Sequence, residues 1–427
     1  MADIRELHPE LQTKSVQEHS GGATYLCDFQ GQPLALFKPH TDVLSTETEF
    51  INKLPDSQVD TLYRPSEEGP CGGVNMAELV LDSLIDYRDA TRPKPFDIYG
   101  NHPPSKGAER AALYEKHDVV FDSPIDEIPA GNVILFSAHG ADPRKIEHAK
   151  DRGLYVVDTT CPLVDKIYSH VRKASKSQQE PNQETNPAQT AVVYLAPLYK
   201  YDHPEVAGTR GVVETAGFRF IPVRSEDEAL ELVDGKDEIG PESMNLDGID
   251  RLLVTGLTTN NAREVLGIGK SLAEAADTQY SVLPYNERDV CRTVQYRQEA
   301  IEEVVGASLV DEVIILGAVE SNNTNELVRK TLATLSEVVA EERRLRRITF
   351  GNHFSQLPRS LRGDVLLMSG ASTGNRNVAQ ATTFLNPSAI KQIGKREKLD
   401  LFTPLGRNSL ARRILAGDFS WLTEVAS

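Results

Sequence analysis

From about residue 66 to about residue 385 one pattern repeats: a short apolar run, a polar or glycine-rich loop, then apolar residues at helical spacing. Runs bounded by turn residues and alternating with helices are the mark of parallel α/β units. Ligands of such folds collect at the carboxyl ends of the strands. Val133-Ile134-Leu135-Phe136 ends in Ser137-Ala138-His139-Gly140, and Val192-Val193-Tyr194-Leu195 leads through a loop to His203-Pro204-Glu205. Leu252-Leu253-Val254 ends in Thr255-Gly256-Leu257-Thr258-Thr259-Asn260. Val313-Ile314-Ile315-Leu316 leads to Glu320-Ser321-Asn322-Asn323-Thr324-Asn325, and Val365-Leu366-Leu367-Met368 to Ser369-Gly370-Ala371-Ser372-Thr373-Gly374. Hydroxyls, amides and two imidazoles at these ends, with backbone N–H groups at helix starts, suit a phosphate-bearing ligand. Ser, Thr, Asn and Gly are also the ordinary N-cap and turn formers of any strand-to-helix junction.

Three of the chain's four cysteines share a setting. Cys71, in Gly69-Pro70-Cys71-Gly72-Gly73-Val74, precedes Met76, Leu79, Val80 and Leu84 at helical spacing. Cys161, in Asp158-Thr159-Thr160-Cys161-Pro162, precedes Val164, Ile167 and Val171, with the proline where a first helical turn tolerates one. Cys291 precedes Val294, Ile301 and Val305. A helix N-terminus carries partial positive charge and favours the thiolate that iron or zinc requires. The gaps, 161 − 71 = 90 and 291 − 161 = 130 residues, are each about one domain long, so the thiols come from three α/β units. Converging thiolates would make a metal site with one coordination position left over. The alternative is three inert core cysteines.

Composition limits the partners. A net charge of −17 argues against nucleic acid or an anionic membrane. No stretch of about 18 apolar residues suggests a membrane span, and Met1-Ala2-Asp3-Ile4-Arg5-Glu6 lacks a signal pattern, so the cytoplasm is the expected compartment. With 39% hydrophobic residues in 427, two or three cores can form.

In order, Gly-Pro-Cys71-Gly-Gly-Val, Phe-Ser-Ala-His139-Gly, Asp-Thr-Thr-Cys161-Pro-Leu-Val-Asp-Lys, His203-Pro-Glu205-Val-Ala-Gly, Cys291 followed by Arg297-Gln298-Glu299-Ala300, Glu-Ser321-Asn-Asn323-Thr-Asn-Glu-Leu and Ser-Gly-Ala-Ser372 resemble the 4-hydroxy-3-methylbut-2-enyl diphosphate reductase family. The resemblance covers roughly residues 66 to 380. It implies an α/β fold: a trefoil of three similar α/β domains with small parallel sheets around a central [4Fe–4S] cluster. It implies cluster ligation by Cys71, Cys161 and Cys291, with the fourth iron facing substrate. His139 and His203 then contact the diphosphate, as do Ser321, Asn323 and Ser372, and Glu205 delivers protons to the departing hydroxyl. The implied reaction removes the allylic hydroxyl to give isopentenyl and dimethylallyl diphosphate, with electrons arriving singly from a ferredoxin or flavodoxin. No dinucleotide fingerprint is present, and Gly269-Lys270-Ser271 lacks the earlier glycine of a phosphate loop and reads as helix.

Three positions depart from the family pattern. Where the family has another diphosphate-binding histidine, gapless counting gives Lys106, and the nearest histidine is His102; one of the two fills the role. A family serine reads as Asn322, and the family's Gln-Thr-Thr reads as Leu257-Thr258-Thr259, making Thr258 the substrate-contacting counterpart. A related cluster enzyme acting on another phosphorylated or hydroxylated compound, or a non-catalytic cluster or zinc protein, is the alternative. The expected domains are an extension at 1–65 with a β-hairpin at 24–37, α/β domains at 66–158, 159–288 (with a mobile polar insertion at 175–189) and 289–385, and a tail at 386–427. Cys27 reads as a packed strand thiol, with a fourth-ligand role as the alternative. Leu410, Ile414, Leu415 and Trp421 read as a terminal helix. Arg407, Arg412 and Arg413 are either a solvated face or a docking face for an acidic electron carrier.

Overall fold

The computed structural model describes residues 11–19, 22–39, 58–105, 108–177, 189–196, 203–233, 246, 248–275, 281–283, 290–317, 322–358, 361–370, 373–394 and 409–424. The strands are β1 (Gln12–His19), β2 (Gly22–Phe29), β3 (Gln32–Pro39), β4 (Gln58–Pro65), β5 (Ile98–Gly100), β6 (Val120–Phe121), β7 (Val133–Phe136), β8 (Tyr155–Asp158), β9 (Thr190–Leu195), β10 (Arg219–Val223), β11 (Arg251–Gly256), β12 (Ser281–Leu283), β13 (Glu312–Leu316), β14 (Arg347–Gly351), β15 (Arg362–Ser369) and β16 (Ala389–Ile393). The helices are α1 (Gly72–Ala90), α2 (Ala108–Lys116), α3 (Pro143–Asp151), α4 (Pro162–Ser177), α5 (Pro204–Thr215), α6 (Glu226–Val233), α7 (Ala262–Ala275), α8 (Arg292–Gly306), α9 (Asn322–Glu337), α10 (Asn375–Leu385), α11 (Ser409–Leu415) and α12 (Trp421–Glu424). The chain divides into two compact units, one of residues 1–71, 105–113 and 292–399, the other of residues 72–104, 114–291 and 400–427.

In the first unit one sheet runs β1-β2-β3-β14-β13-β15-β4-β16. The strands from β3 to β16 pair in parallel, and β1-β2-β3 form an antiparallel meander at one end. The hairpin expected at 24–37 is β2–β3. Its turn places Gln30 and Gly31 at φ 52° and 79°, the paired positive values of a two-residue turn matched to strand twist, and Asp28 Oδ1 accepts from the Gly31 amide at 2.7 Å. Residues 12–39 and 58–65 thus supply half the strands of this sheet. Glu-Val-Ile-Ile-Leu of β13 is buried at every position, as a parallel strand covered on both faces must be. Cys27 packs in the core with Leu36, Val313 and Phe350, and burial pushes its thiol pKa up, as expected of a strand thiol rather than a ligand.

The second unit holds two parallel four-stranded sheets, β6-β5-β7-β8 and β10-β9-β11-β12. Val80, Leu84 and Ile85 of α1 pack on Ile98, Val133, Leu135 and Val157. Ala411, Ile414 and Trp421 of α11 and α12 join that core, and Tyr87 stacks on Phe419 with ring centroids 3.7 Å apart. The terminal helix therefore packs as its apolar residues suggest. Arg413 is held by Asp418 at 2.7 Å and Ser420 at 2.9 Å, and Arg407 lies outside the described residues. Gly269-Lys270-Ser271 lies within α7. Of the polar segment 175–189, α4 takes the first three residues, and 178–188 lie outside the described residues. Among the described residues no helix is long and apolar enough to cross a membrane.

Candidate active site

The loops after β5, β7, β9 and β11 carry five of the thirteen expected site residues, His102, His139, His203, Glu205 and Thr258, in the second unit. Asn101 follows β5, and its side-chain carbonyl accepts from the His102 amide and the Ser137 amide, both at 3.0 Å, tying two strand ends together. His102 Nε2 lies 3.1 Å from His139 Nδ1 and makes a short hydrogen bond with Ser137 Oγ. The His139 ring stands nearly perpendicular to that of His203, with centroids 5.3 Å apart. Three imidazoles thus form a row. Of the two candidates for the extra histidine's role, His102 joins this row, whereas Lys106 lies outside the described residues.

His203 is the N-cap of α5, followed by Pro204 at the first helical position. Its Nδ1 accepts from the Glu205 amide at 3.3 Å, so that nitrogen carries no proton and Nε2 is the one able to donate to a ligand. Glu205 then turns inward and is 1% exposed. A carboxyl so buried needs donors. Oε1 accepts from the Thr258 amide at 2.7 Å and from the Tyr194 hydroxyl at 3.3 Å, and Oε2 accepts from Thr258 Oγ1 at 3.2 Å. The neighbouring Leu257 is fully buried against Tyr194, Ala196 and Val206, so it serves as core.

Each of the three helix-start cysteines stands directly before a helix, at 72, 162 and 292, and each is outside any disulfide and at intermediate exposure. The Cys161 amide donates to Ala138 O at 2.9 Å, and the Cys291 amide to Thr258 O at 2.6 Å, so both are anchored to the loops carrying His139 and Thr258. A Cβ at Gly73 would stand 2.9 Å from both Cβ and Sγ of Cys161, so the first turn of α1 leaves room for that thiol only because it is glycine. Among the described residues no three His, Cys, Asp or Glu side chains gather as ligands of a single metal ion. A thiol directly before a helix, as each of these is, is a donor that suits an iron–sulfur cluster.

In the first unit, Cys71 follows a turn in which Gly69 adopts φ 75°. The Gly69 amide donates to Ser369 Oγ at 3.1 Å, and the buried guanidinium of Arg297 donates to Glu67 O at 3.1 Å and to Gly69 O. Asn322 and Asn323 open α9, while Ser321 and Ser372 lie outside the described residues. The sequence alone points to no role for Asn101, Ser137, Tyr194 or Arg297. The available signals were a phenol inside the apolar run of β9, and an arginine on the core face of α8 alongside Val294 and Ile301.

A cleft of about 480 Å³ opens beside His102, Pro204 and Gly208. Four of its charged side chains pair with one another: Arg144 bridges Asp142 at 2.7 Å and Glu214 at 2.9 Å, and Arg210 meets Glu214 at 2.6 Å.

The profile of the LytB protein family matches residues 63–386. The chain belongs to the LytB family. Relatives include the 4-hydroxy-3-methylbut-2-enyl diphosphate reductase of Tropheryma whipplei, 29% identical over 267 residues, which are 62% of this chain and 72% of that protein. The enzyme of the same name from Acidithiobacillus ferrooxidans is 27% identical over 285 residues, 66% of this chain and 78% of that protein. The solved E-1-hydroxy-2-methyl-but-2-enyl-4-diphosphate reductase from Plasmodium falciparum shares the fold, with a TM-score of 0.60 and 20% identity over 87% of this chain and 100% of the other. The mixed α/β fold with parallel sheets expected from the sequence is thus that of the LytB family.

Proposed function

We propose that this LytB chain removes the allylic hydroxyl of 4-hydroxy-3-methylbut-2-enyl diphosphate, yielding isopentenyl and dimethylallyl diphosphate. Each turnover takes in the allylic alcohol, two electrons and two protons, and releases the alkene and one water. One observation carries the reading: a carboxyl almost sealed from solvent, Glu205, sits two residues beyond an imidazole row and is gripped by Thr258. Hydroxide is a poor leaving group, and an acid that hands it a proton turns it into water. Thr258 orients that acid and presents a hydroxyl of its own beside it.

Imidazole N–H donors suit a diphosphate, and we assign its binding to His139, His203 and His102, with Lys106 as the alternative to His102. Ser321, Asn322, Asn323 and Ser372 are assigned the same role from the family pattern. Cys71, Cys161 and Cys291 are assigned as the thiolate ligands of a [4Fe–4S] cluster. When bound, the cluster supplies electrons one at a time together with a Lewis-acidic iron. Ferredoxin or flavodoxin is the proposed electron donor and the cytoplasm the proposed compartment, in keeping with four cysteines outside any disulfide. The test is an oxygen-free assay of the reconstituted protein with the allylic diphosphate and a chemical reductant. Five-carbon diphosphates should form, and Glu205→Gln should lose at least about a hundredfold in turnover while the cluster absorbance stays. A fully loaded protein that leaves the substrate unchanged refutes the proposal.

A further inference from the structure

We propose that Tyr194 is a positioning residue for the acid: with the Thr258 amide it occupies Oε1 of Glu205, and so places the transferable proton on Oε2 against the Thr258 hydroxyl. The inference rests on the reading of Glu205 as proton donor and goes beyond it, to the atom that holds the proton and to a residue that selects it.

The two carboxyl oxygens have different partners. Oε1 receives an amide N–H at 2.7 Å and a phenol O–H at 3.3 Å. An amide can never accept a proton, so a hydrogen on Oε1 would face a donor. Oε2 faces Thr258 Oγ1 at 3.2 Å, and a hydroxyl can turn from donor to acceptor. A proton leaving Oε2 passes to Thr258 Oγ1 as the hydroxyl's own proton moves onward, and the hydroxyl is regenerated.

On β9 the phenol of Tyr194 stands among the buried apolar residues Ala191, Val192, Val193 and Leu195, with Thr190 the other polar residue at the start of the strand. A buried phenol needs a partner, and this one finds the carboxylate. Burial, and then the negative charge of Glu205, push the Tyr194 pKa well above its ordinary value against a hydrogen bond with Thr209, so the phenol keeps the proton it can donate to the charged carboxylate. From α4 a second buried phenol, Tyr168, feels the same carboxylate, and Asp158, Arg172 and Asp165 act on Tyr168 in turn. On the helix of Glu205 itself, Thr209 donates to its carbonyl at 2.8 Å and His203 accepts its amide, so the backbone is fixed and the carboxyl rotamer is what Tyr194 and Thr258 decide.

Tyr194→Phe keeps the ring and removes the donor. The Glu205 titration is followed in the full-length protein by infrared difference spectroscopy of its carboxyl band, assigned with Glu205→Gln. Losing a donor to the charged form should raise the midpoint by about one pH unit. In the cluster-loaded enzyme kcat should fall about tenfold with KM little changed, and the pH profile of kcat should move with the infrared midpoint. A fluorinated tyrosine in place of Tyr194, a stronger donor of nearly the same size, should lower the midpoint, and it serves as the test if the phenylalanine variant does not fold. An unmoved midpoint and pH profile in folded variants overturn the inference. If Glu205→Gln retains turnover, the acid assignment fails instead, and the proposal falls with it. Loss of turnover in Glu205→Gln beside an unchanged Tyr194→Phe profile sinks the proposal alone.

Discussion

Arg297 offers a quantitative test of how the Cys71 turn is held. Its side chain is 1% exposed, and its guanidinium donates to the carbonyls of Glu67 and Gly69, four and two residues before Cys71. Hydrogen bonds from a charged group contribute about 1.5–3 kcal/mol each. Arg297→Leu removes both and leaves two carbonyls without these donors. Against this, the buried charge no longer has to be desolvated, which returns part of the loss. The expected net is a weakening of the turn by about 2–3 kcal/mol. Since about 1.4 kcal/mol is a factor of ten, amides of segment 66–72 should exchange with deuterium roughly 30- to 100-fold faster, the Gly69 amide on Ser369 among them. Peptide-resolved exchange on the metal-free protein reads this directly. Arg297→Lys keeps the charge but not the planar fork and should recover only part of the protection. If segment 66–72 keeps its protection in Arg297→Leu while the rest of the chain stays folded, the turn is held by something else and the reasoning is wrong.

Two other perturbations have defined outcomes. Gly73→Ala puts a methyl group 2.9 Å from Cys161 Cβ and Sγ, so iron incorporation should drop sharply while far-ultraviolet circular dichroism is unchanged, and normal loading would show that Cys161 does not need this clearance. Burial pushes the Asp142 carboxyl up, but hydrogen bonds from Arg144 outweigh it, and burial of Glu214 is likewise outweighed by Arg210 and Arg144, so both carboxyls titrate below their ordinary range. Their folded pKa values are depressed, so the stabilisation is present above about pH 4 and is lost as pH falls through the folded values. The thermal midpoint of wild type should therefore fall more steeply between about pH 5 and 3 than that of Arg144→Ala; equal slopes would show the cluster does not contribute.

What the sequence revealed was local. The expected strand at Val133–Phe136 is β7, and the residues after Cys71, Cys161 and Cys291 begin α1, α4 and α8, because apolar periodicity and helix-start chemistry are written in consecutive residues. What it hid was pairing at a distance. β4 lies between β15 and β16, more than 300 residues away for each, and parallel pairing of remote segments leaves no local trace, so residues 58–65 read as part of an extension. The same holds in the site. His139, His203, Glu205 and Thr258 were visible in their motifs, whereas Asn101 joining two strand ends, Tyr194 on Glu205, and Arg297 under the Cys71 turn exist only once the chain is folded. Lys106 and His102 could not be separated by counting along the chain, and the ring of His102 against His139 is what favours the histidine.

The proposed ligation of one iron–sulfur cluster by Cys71, Cys161 and Cys291 is tested by iron and acid-labile sulfide content after oxygen-free purification. The intact chain should carry both in equal amounts, and Cys71→Ser, Cys161→Ser or Cys291→Ser should each strip the greater part of both, with Cys27→Ser retaining a full load. Zinc in place of iron, or iron and sulfide indifferent to the loss of any one of the three thiols, would contradict it.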